Sequence, residues 1–268
     1  MRRSSAFAAL IRAVLRRSNF ALAFLLAVLV TVPLLGAEIV LVPIWYQGAG
    51  AQGSQWLTHL SVYNNGGYIE PADGGVLPCQ WLISPCPRGF WKSMMLVYEA
   101  PISMAGGFVM TVPNNDTLSY SLRVFESTAQ LEDLGIDLPV VRERDLKTAP
   151  VQLMDIPPSD PDLFRYMLRI YAIGGAPTAV VRVNGYLTMG DGQPDLIVTK
   201  EITLQRVRHG LGHYYAEEND VVRQLIQATG GMGQLRIEIE PMSPNLRWWG
   251  MVSATNNRTQ DVTIVTPN

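Results

Sequence analysis

Two histidines four positions apart, His209 and His213, precede the adjacent carboxylates Glu217 and Glu218, and together they are the most metal-like cluster in the chain. Two imidazoles and a carboxylate have the donor chemistry that zinc prefers. On a helix, histidines at this spacing would share one face, but Gly210 and Gly212 lie between them and disfavour a helix. No glutamate directly follows His209, so the metalloprotease pattern is not met. The segment therefore reads as a solvated loop between strands, with His209 and His213 as weak metal candidates and no cofactor expected. Asp191-Gly192-Gln193-Pro194-Asp195 has the look of a calcium loop but supplies too few ligands, and an Asp-Gly hairpin turn accounts for it. Gly53-Ser54-Gln55-Trp56 lacks the closing glycine of a nucleophile elbow, and no phosphate-binding glycine loop opens a helix. No convergent catalytic set results. The expectation is a protein that is not an enzyme.

Aromatic rings offer a second kind of chemistry. Trp81, Trp91, Tyr214, Tyr215, Trp248 and Trp249 could stack on the apolar faces of sugar rings. Of these, Trp248, Trp249, Tyr214 and Tyr215 are the candidate binding residues. Adjacent residues on a strand face opposite ways, so a regular strand can place only one of Trp248 and Trp249 in a given core. The other lies at a sheet edge or in an interface between domains, and interdomain burial is the favoured alternative to a sugar platform.

The elements that must position these residues begin after a leader. Arg2, Arg3, Arg12, Arg16 and Arg17 precede an apolar run from Phe20 to Leu35, which closes on Gly36-Ala37 before the first acid, Glu38. A basic region, an apolar region and small residues, in that order, predict an export signal over residues 1–37. The run is shorter than a comfortable membrane span, and an uncleaved anchor is the alternative. The chain has 21 Lys+Arg and 23 Asp+Glu; without the leader's arginines, 16 basic residues face 23 acidic ones, a net charge of −7. An acidic body without a basic cluster argues against nucleic acid as a partner. Cys79 and Cys86, flanked by Pro78, Pro85 and Pro87, predict a short-loop disulfide in an exported chain.

The mature part alternates like short strands between turns. Trp56, Thr58, Leu60 and Val62 alternate with Leu57, His59, Ser61 and Tyr63 before Asn64-Asn65-Gly66-Gly67. Residues 179–189 and 196–204 read as a hairpin, and Leu235, Ile237 and Ile239 as the inner face of a half-exposed strand. Asn219 can cap a short helix from Asp220 to Ala228 that ends at Gly230-Gly231. The two halves repeat weakly: Trp56–Tyr63 matches Phe164–Tyr171, Phe108, Met110 and Val112 match Leu235, Ile237 and Ile239, and Ser119–Glu126 matches Arg247–Ser253. Residues 138–161 hold Pro139, Pro150, Pro157, Pro158 and Pro161 and have linker composition. The expected fold is all-β: two tandem antiparallel β-sandwich domains after the signal peptide, with one short helix in the second. The boundaries are 1–37 signal, 38–137 first domain, 138–161 linker and 162–268 second domain; a single jelly-roll-like domain is the alternative.

The residues also carry a resemblance. Gly53-Ser54-Gln55-Trp56-Leu57-Thr58, followed by Leu60, Val62, Asn64 and Gly66, resembles the opening strand of a group of exported bacterial proteins of unknown function. Those chains contain two such units and close on a Ser-x-x-x-Asn-x-Thr-x-Asp pattern before an apolar strand. The closing segment here is Ser253 to Asp261, followed by Val262-Thr263-Ile264-Val265. Their second unit opens on Phe-Arg-x-Asn; this chain has Phe164-Arg165, with Met167 at the asparagine position. The resemblance implies tandem β units and export, and brings no activity with it.

The sequence thus points to an exported, non-catalytic structural or interaction protein in the periplasm, on the cell surface or outside the cell. Its partner would be a protein or a polysaccharide, with membrane contact only through an uncleaved leader. A carbohydrate-binding module is the alternative, and a metal-dependent hydrolase ranks below it. Intact mass spectrometry without reductant, on protein recovered outside the cytoplasm, should give a chain beginning near Glu38 and two hydrogens lighter than the dithiol. An intact Met1 in a soluble cytoplasmic pool, or two alkylatable thiols in the folded exported chain, would contradict this reading.

Overall fold

A computed structural model describes residues 37–50, 53–64, 94–99, 106–113, 118–127, 135–156, 163–174, 178–189, 192–207, 212–229 and 233–267. The leader, Cys79, Cys86, Trp81, Trp91 and His209 lie outside the described residues. In chain order the strands are β1 (Ala37–Val42), β2 (Gln47–Ala49), β3 (Gln55–Asn64), β4 (Met94–Glu99), β5 (Phe108–Pro113), β6 (Leu118–Glu126), β7 (Gly135–Leu138) and β8 (Val141–Arg142). A 3-10 turn (Glu143–Asp145) leads to β9 (Val151–Ile156), β10 (Phe164–Ile173), β11 (Ala179–Thr188), β12 (Pro194–Val207) and β13 (His213–Glu218). Helix α1 (Asp220–Thr229) precedes β14 (Gln234–Pro241), β15 (Arg247–Asn256) and β16 (Val262–Val265). No helix among the described residues is long and apolar enough to cross a membrane.

Every pairing among these strands is antiparallel, and the described residues are mostly β, with α1 as their one α-helix. An eight-stranded sheet runs in the order β16-β15-β10-β13-β12-β11-β14-β9. It rolls up until its two end strands, β9 and β16, approach each other. Its inner face is the larger core, and the alternation in the sequence places it there: Leu168, Ile170, Val181, Val183, Leu235, Ile237 and Ile239 are all buried inside. Helix α1 closes this core with Val221, Val222, Leu225 and Ile226. It can come so near because β11 carries Gly185, where a Cβ would lie 2.7 Å from Leu225 and Val198. The expected Asn219 side-chain cap is absent from the helix start; the Glu218 carboxylate accepts the N–H groups of Asp220 and Val221 at 2.6 and 3.3 Å instead.

The first half contributes two smaller sheets, β5-β1-β8 and a five-stranded one in which β3 pairs with β2, β4 and β6, and β6 with β7. Both halves use one pairing scheme. The path β4-β3-β6-β7 is matched by β13-β10-β15-β16, and the pair β5-β1 by β14-β9. Trp56 lies opposite Glu126 and Tyr63 opposite Ser119, as Phe164 lies opposite Asn256 and Tyr171 opposite Trp249. In this register Ser119 corresponds to Trp249 rather than Arg247, a shift of two that preserves which face each residue takes.

Two expectations about organisation are corrected. Residues 138–156 are not a linker, because β8 pairs with β1 and β9 pairs with β14 inside the rolled sheet. The prolines bracket β9 instead of interrupting it: Pro150 precedes its first residue and Pro157 follows its last. Leu153 and Ile156, three apart, both point inward because the strand bulges at Asp155, whose φ is +60°. The described second half therefore starts at Val151, not Asp162. Nor does the first half have a core of its own, although the second half does. Residues 37–268 form one compact unit, and the first half's apolar residues share their core with Tyr171, Ile173, Trp249 and Met251 of the second.

Because β9 completes the rolled core, Leu153→Ala should destabilise the protein by about 2–5 kcal/mol. The neighbouring, exposed Met154→Ala should stay within about 0.5 kcal/mol of wild type. Denaturant titration measures both; equal, near-zero effects would restore the linker reading.

Candidate functional site

The outward face of the rolled sheet is divided between two environments. Along β10 and β15, Tyr171 lies opposite Trp249, Arg169 opposite Met251, Met167 opposite Ser253 and Arg165 opposite Thr255. Tyr171, Trp249 and Met251 are sealed beneath the first half. The rest of the same face, Arg165, Met167, Arg169, Ser253 and Thr255, floors a half-open cleft of about 470 Å³. Its walls are apolar: Trp56, Val124, Ile136 and Leu138 come from the five-stranded sheet, Ile44 and Tyr46 from the strand connection before it, and Val262 and Ile264 from β16. A volume of this size, apolar walls and a few polar groups at one end are the usual attributes of a small-molecule site.

The two arginines on the floor are held differently. Arg169 donates from Nε to Glu217 Oε1 at 3.2 Å and from a terminal nitrogen to Ser253 Oγ at 3.3 Å. Burial works against its charge, but the surrounding Tyr171, Tyr215 and Glu217 outweigh burial and raise its pKa. Tyr215 donates its hydroxyl to the same Glu217 oxygen, and burial, then Tyr171 and Glu217, push its pKa up. Arg165 donates at 2.9 Å to Asn257 Oδ1 and at 2.8 Å to Gln260 Oε1. Both acceptors are neutral amides, and burial lowers the pKa of its guanidinium. Counting Arg165, Arg169 and Glu217, the described lining residues carry a net charge of +1. The chain carries −2 in total. The cleft is a cationic spot on an acidic protein.

Two sequence motifs meet at Arg165. The closing segment, Ser253 to Asp261, comprises the end of β15 and the turn into β16, and Phe164-Arg165 opens β10 opposite Asn256 and Thr255. Asn256 Oδ1 accepts the N–H groups of Arg258 and Thr259 at 2.8 and 3.1 Å, and Thr259 donates its hydroxyl to Asp261 at 2.6 Å. Gln260 sits in the left-handed region at φ +64°, uncommon for a residue with a side chain, and its amide also donates to the Asn257 carbonyl at 2.8 Å. The turn so built aims two amide oxygens at the Arg165 fork. Sequence reasoning did not single out Arg165 as functional. The available signal was the change along one face of β10, from charged at Arg165 and Arg169 to aromatic at Tyr171.

The candidates chosen from sequence occupy other places. Trp248 is fully buried inside the rolled sheet, while Trp249 is buried in the shared core, so neither ring is available to stack on a sugar. Their opposite orientations follow from strand alternation. Tyr214 packs against the larger core and Tyr215 against the shared one, both half-buried. His213 is buried: its Nε2 donates to the Gly106 carbonyl at 2.6 Å, and its ring stacks 6.4 Å from that of Tyr171. An imidazole whose Nε2–H is committed to a carbonyl, with Nδ1 lacking a partner among the described residues, is a structural latch between the halves. The carboxylates once grouped with it are engaged elsewhere, Glu217 by Arg169 and Glu218 by Lys200 at 2.6 Å and the start of α1. Searches against protein-family models, curated proteins and solved structures find no match to this chain.

Burial lowers the His213 pKa, and the bond to Gly106 offsets only part of that shift. In the unfolded chain the imidazole takes up a proton below about pH 6.5, while the folded one does not until its lower pKa is reached. Folding stability contributed by neutral His213 should therefore fall as pH drops below about 6.5. The difference in unfolding free energy between wild type and His213→Asn, measured from pH 8 to 5, should shrink on the acid side. A difference that is flat across this range would contradict the buried neutral imidazole.

Proposed function

We propose that this chain is an exported, non-catalytic binding protein and that the cleft between the five-stranded sheet and β10-β15-β16 is its ligand site. The observation that carries this reading is the pairing of a concave apolar space with a few fixed polar groups on its floor. Export rests on the leader at residues 1–37, and so does the assignment to the periplasm, cell surface or exterior. The shared pairing scheme of the two halves supports reading them as two tandem sandwich-like units, the second closed into a roll by β11 and β12. It also supports placing the chain with the exported bacterial proteins its motifs resemble. Against a hydrolase stands the floor of the cleft, where the carboxylate of Glu217 is committed to Arg169 and Tyr215. Carbohydrate binding would have to use Trp56 and Tyr46, the half-buried rings that line the cleft, since Trp248 and Trp249 are enclosed.

The neutral fluorophore N-phenyl-1-naphthylamine, which brightens in apolar surroundings, should bind the folded protein. Val262→Trp, which places an indole in the cleft from β16, should weaken that binding by about tenfold or more at unchanged stability. Leu196→Ser, at the exposed end of the β11–β12 hairpin, should leave it unaltered. Binding that is insensitive to Val262→Trp, or absent from wild type, would overturn the cleft as the site.

A further inference from the structure

Arg165 is placed as a receptor for an anion. Of its five N–H donors, two are spent on the side-chain amides of Asn257 and Gln260. Those bonds fix the plane and direction of the guanidinium without neutralising it. Arg165 is half-buried, and among the described residues it hydrogen-bonds only to these two neutral acceptors, so no counter-charge offsets its partial withdrawal from water. Arg169, four residues along the same face, has Glu217 as its counter-ion and needs no other. The cleft's net charge of +1 is therefore the charge of Arg165. The strained turn at Gln260 keeps its fork in place before any ligand arrives, which lowers the ordering cost of binding.

We propose that the cleft takes a small free amphiphile bearing one carboxylate, with the apolar body against Trp56, Ile136 and Val262 and the carboxylate on Arg165. A carboxylate matches the planar fork with two oxygens in one plane, and a single negative charge matches the single uncompensated positive one. The proposal rests on the cleft being a ligand site, and its test separates the two ideas by comparing ligands of one apolar body that differ only in charge.

The displacement of N-phenyl-1-naphthylamine by dodecanoate and by 1-dodecanol, both kept below their aggregation limits, reads the contribution of the charge. In the unaltered protein dodecanoate should displace the probe at about tenfold lower concentration than the alcohol, the scale of one hydrogen-bonded charge pair. Added salt should narrow the gap. Arg165→Gln should abolish the preference by weakening dodecanoate relative to the alcohol, each competitor being read against that variant's own probe binding. Arg165→Lys, which keeps the charge but loses the fork, should retain part of it. Equal displacement by the two competitors in the unaltered protein overturns the carboxylate inference even if every variant misfolds, while leaving the cleft as an apolar site. A folded Arg165→Gln that still prefers dodecanoate overturns the role of Arg165. Failure of the probe to bind wild type at all overturns the cleft, and this proposal with it.

Discussion

Every side chain from Trp248 to Thr255 on β15 is buried, and successive ones face opposite ways. Trp248, Val252 and Ala254 fill the rolled sheet, while Trp249 and Met251 fill the core shared with the first half. A strand buried on both faces cannot move toward one core without opening the other. That constraint sets the distance between the halves. Gly250, between the tryptophans and the next pair, allows the backbone to pass beneath Ile239 and the Arg169 carbonyl, which a Cβ would meet at 3.2 and 3.1 Å.

Polar contacts then determine how the halves are oriented on this strand. Tyr171, fully buried, donates its hydroxyl to the Pro43 carbonyl at 2.6 Å, and His213 donates to Gly106. Each satisfies a carbonyl that the shared core would otherwise strand. On the far side, Lys147 and Trp248 exchange both backbone hydrogen bonds, at 2.8 and 2.9 Å, so the segment after β8 is stapled to the start of β15. Glu143 accepts the Ile39 N–H at 2.9 Å and pairs with Arg247; although burial disfavours its charge, these two donors prevail and hold its pKa below the usual carboxylate value. Such bonds add modestly to stability, but an orphaned buried partner is costly, so they select one docking geometry over its neighbours.

The larger core was legible in the sequence because it obeys a single period. Leu235, Ile237 and Ile239 alternate with Arg236, Glu238 and Glu240, and no other reading of that run buries three branched side chains without burying charge. The shared core was not legible, since its residues come from strands distant in sequence and from the second face of β10 and β15. Trp248-Trp249 announced two destinations, but only the folded chain says that both are interior. The linker was misread for a different reason. Proline composition reports where ladders end, not whether a strand lies between the ends, and the bulge at Asp155 hides the Leu153–Ile156 pattern from a search for strict alternation. Arg165 was named only as part of a motif; its significance depends on a turn about ninety residues later whose hydrogen bonds no spacing rule predicts.

The cleft follows from the same two-faced strands. The first half covers the outer face of β10 and β15 only where that face is apolar, over Tyr171, Ile173, Trp249 and Met251. Beyond Arg169 the face turns polar, and closing the first half over it would bury two guanidiniums against the apolar side chains of Trp56 and Val124. Such a closure would carry a desolvation cost, and the two sheets lie apart there, leaving the cleft. Arg169 is accommodated in the divergence by Glu217, and Arg165 by the amide oxygens of the β15–β16 turn. In this fold, the cleft opens where the outer face of β10 changes from aromatic at Tyr171 to charged at Arg169 and Arg165.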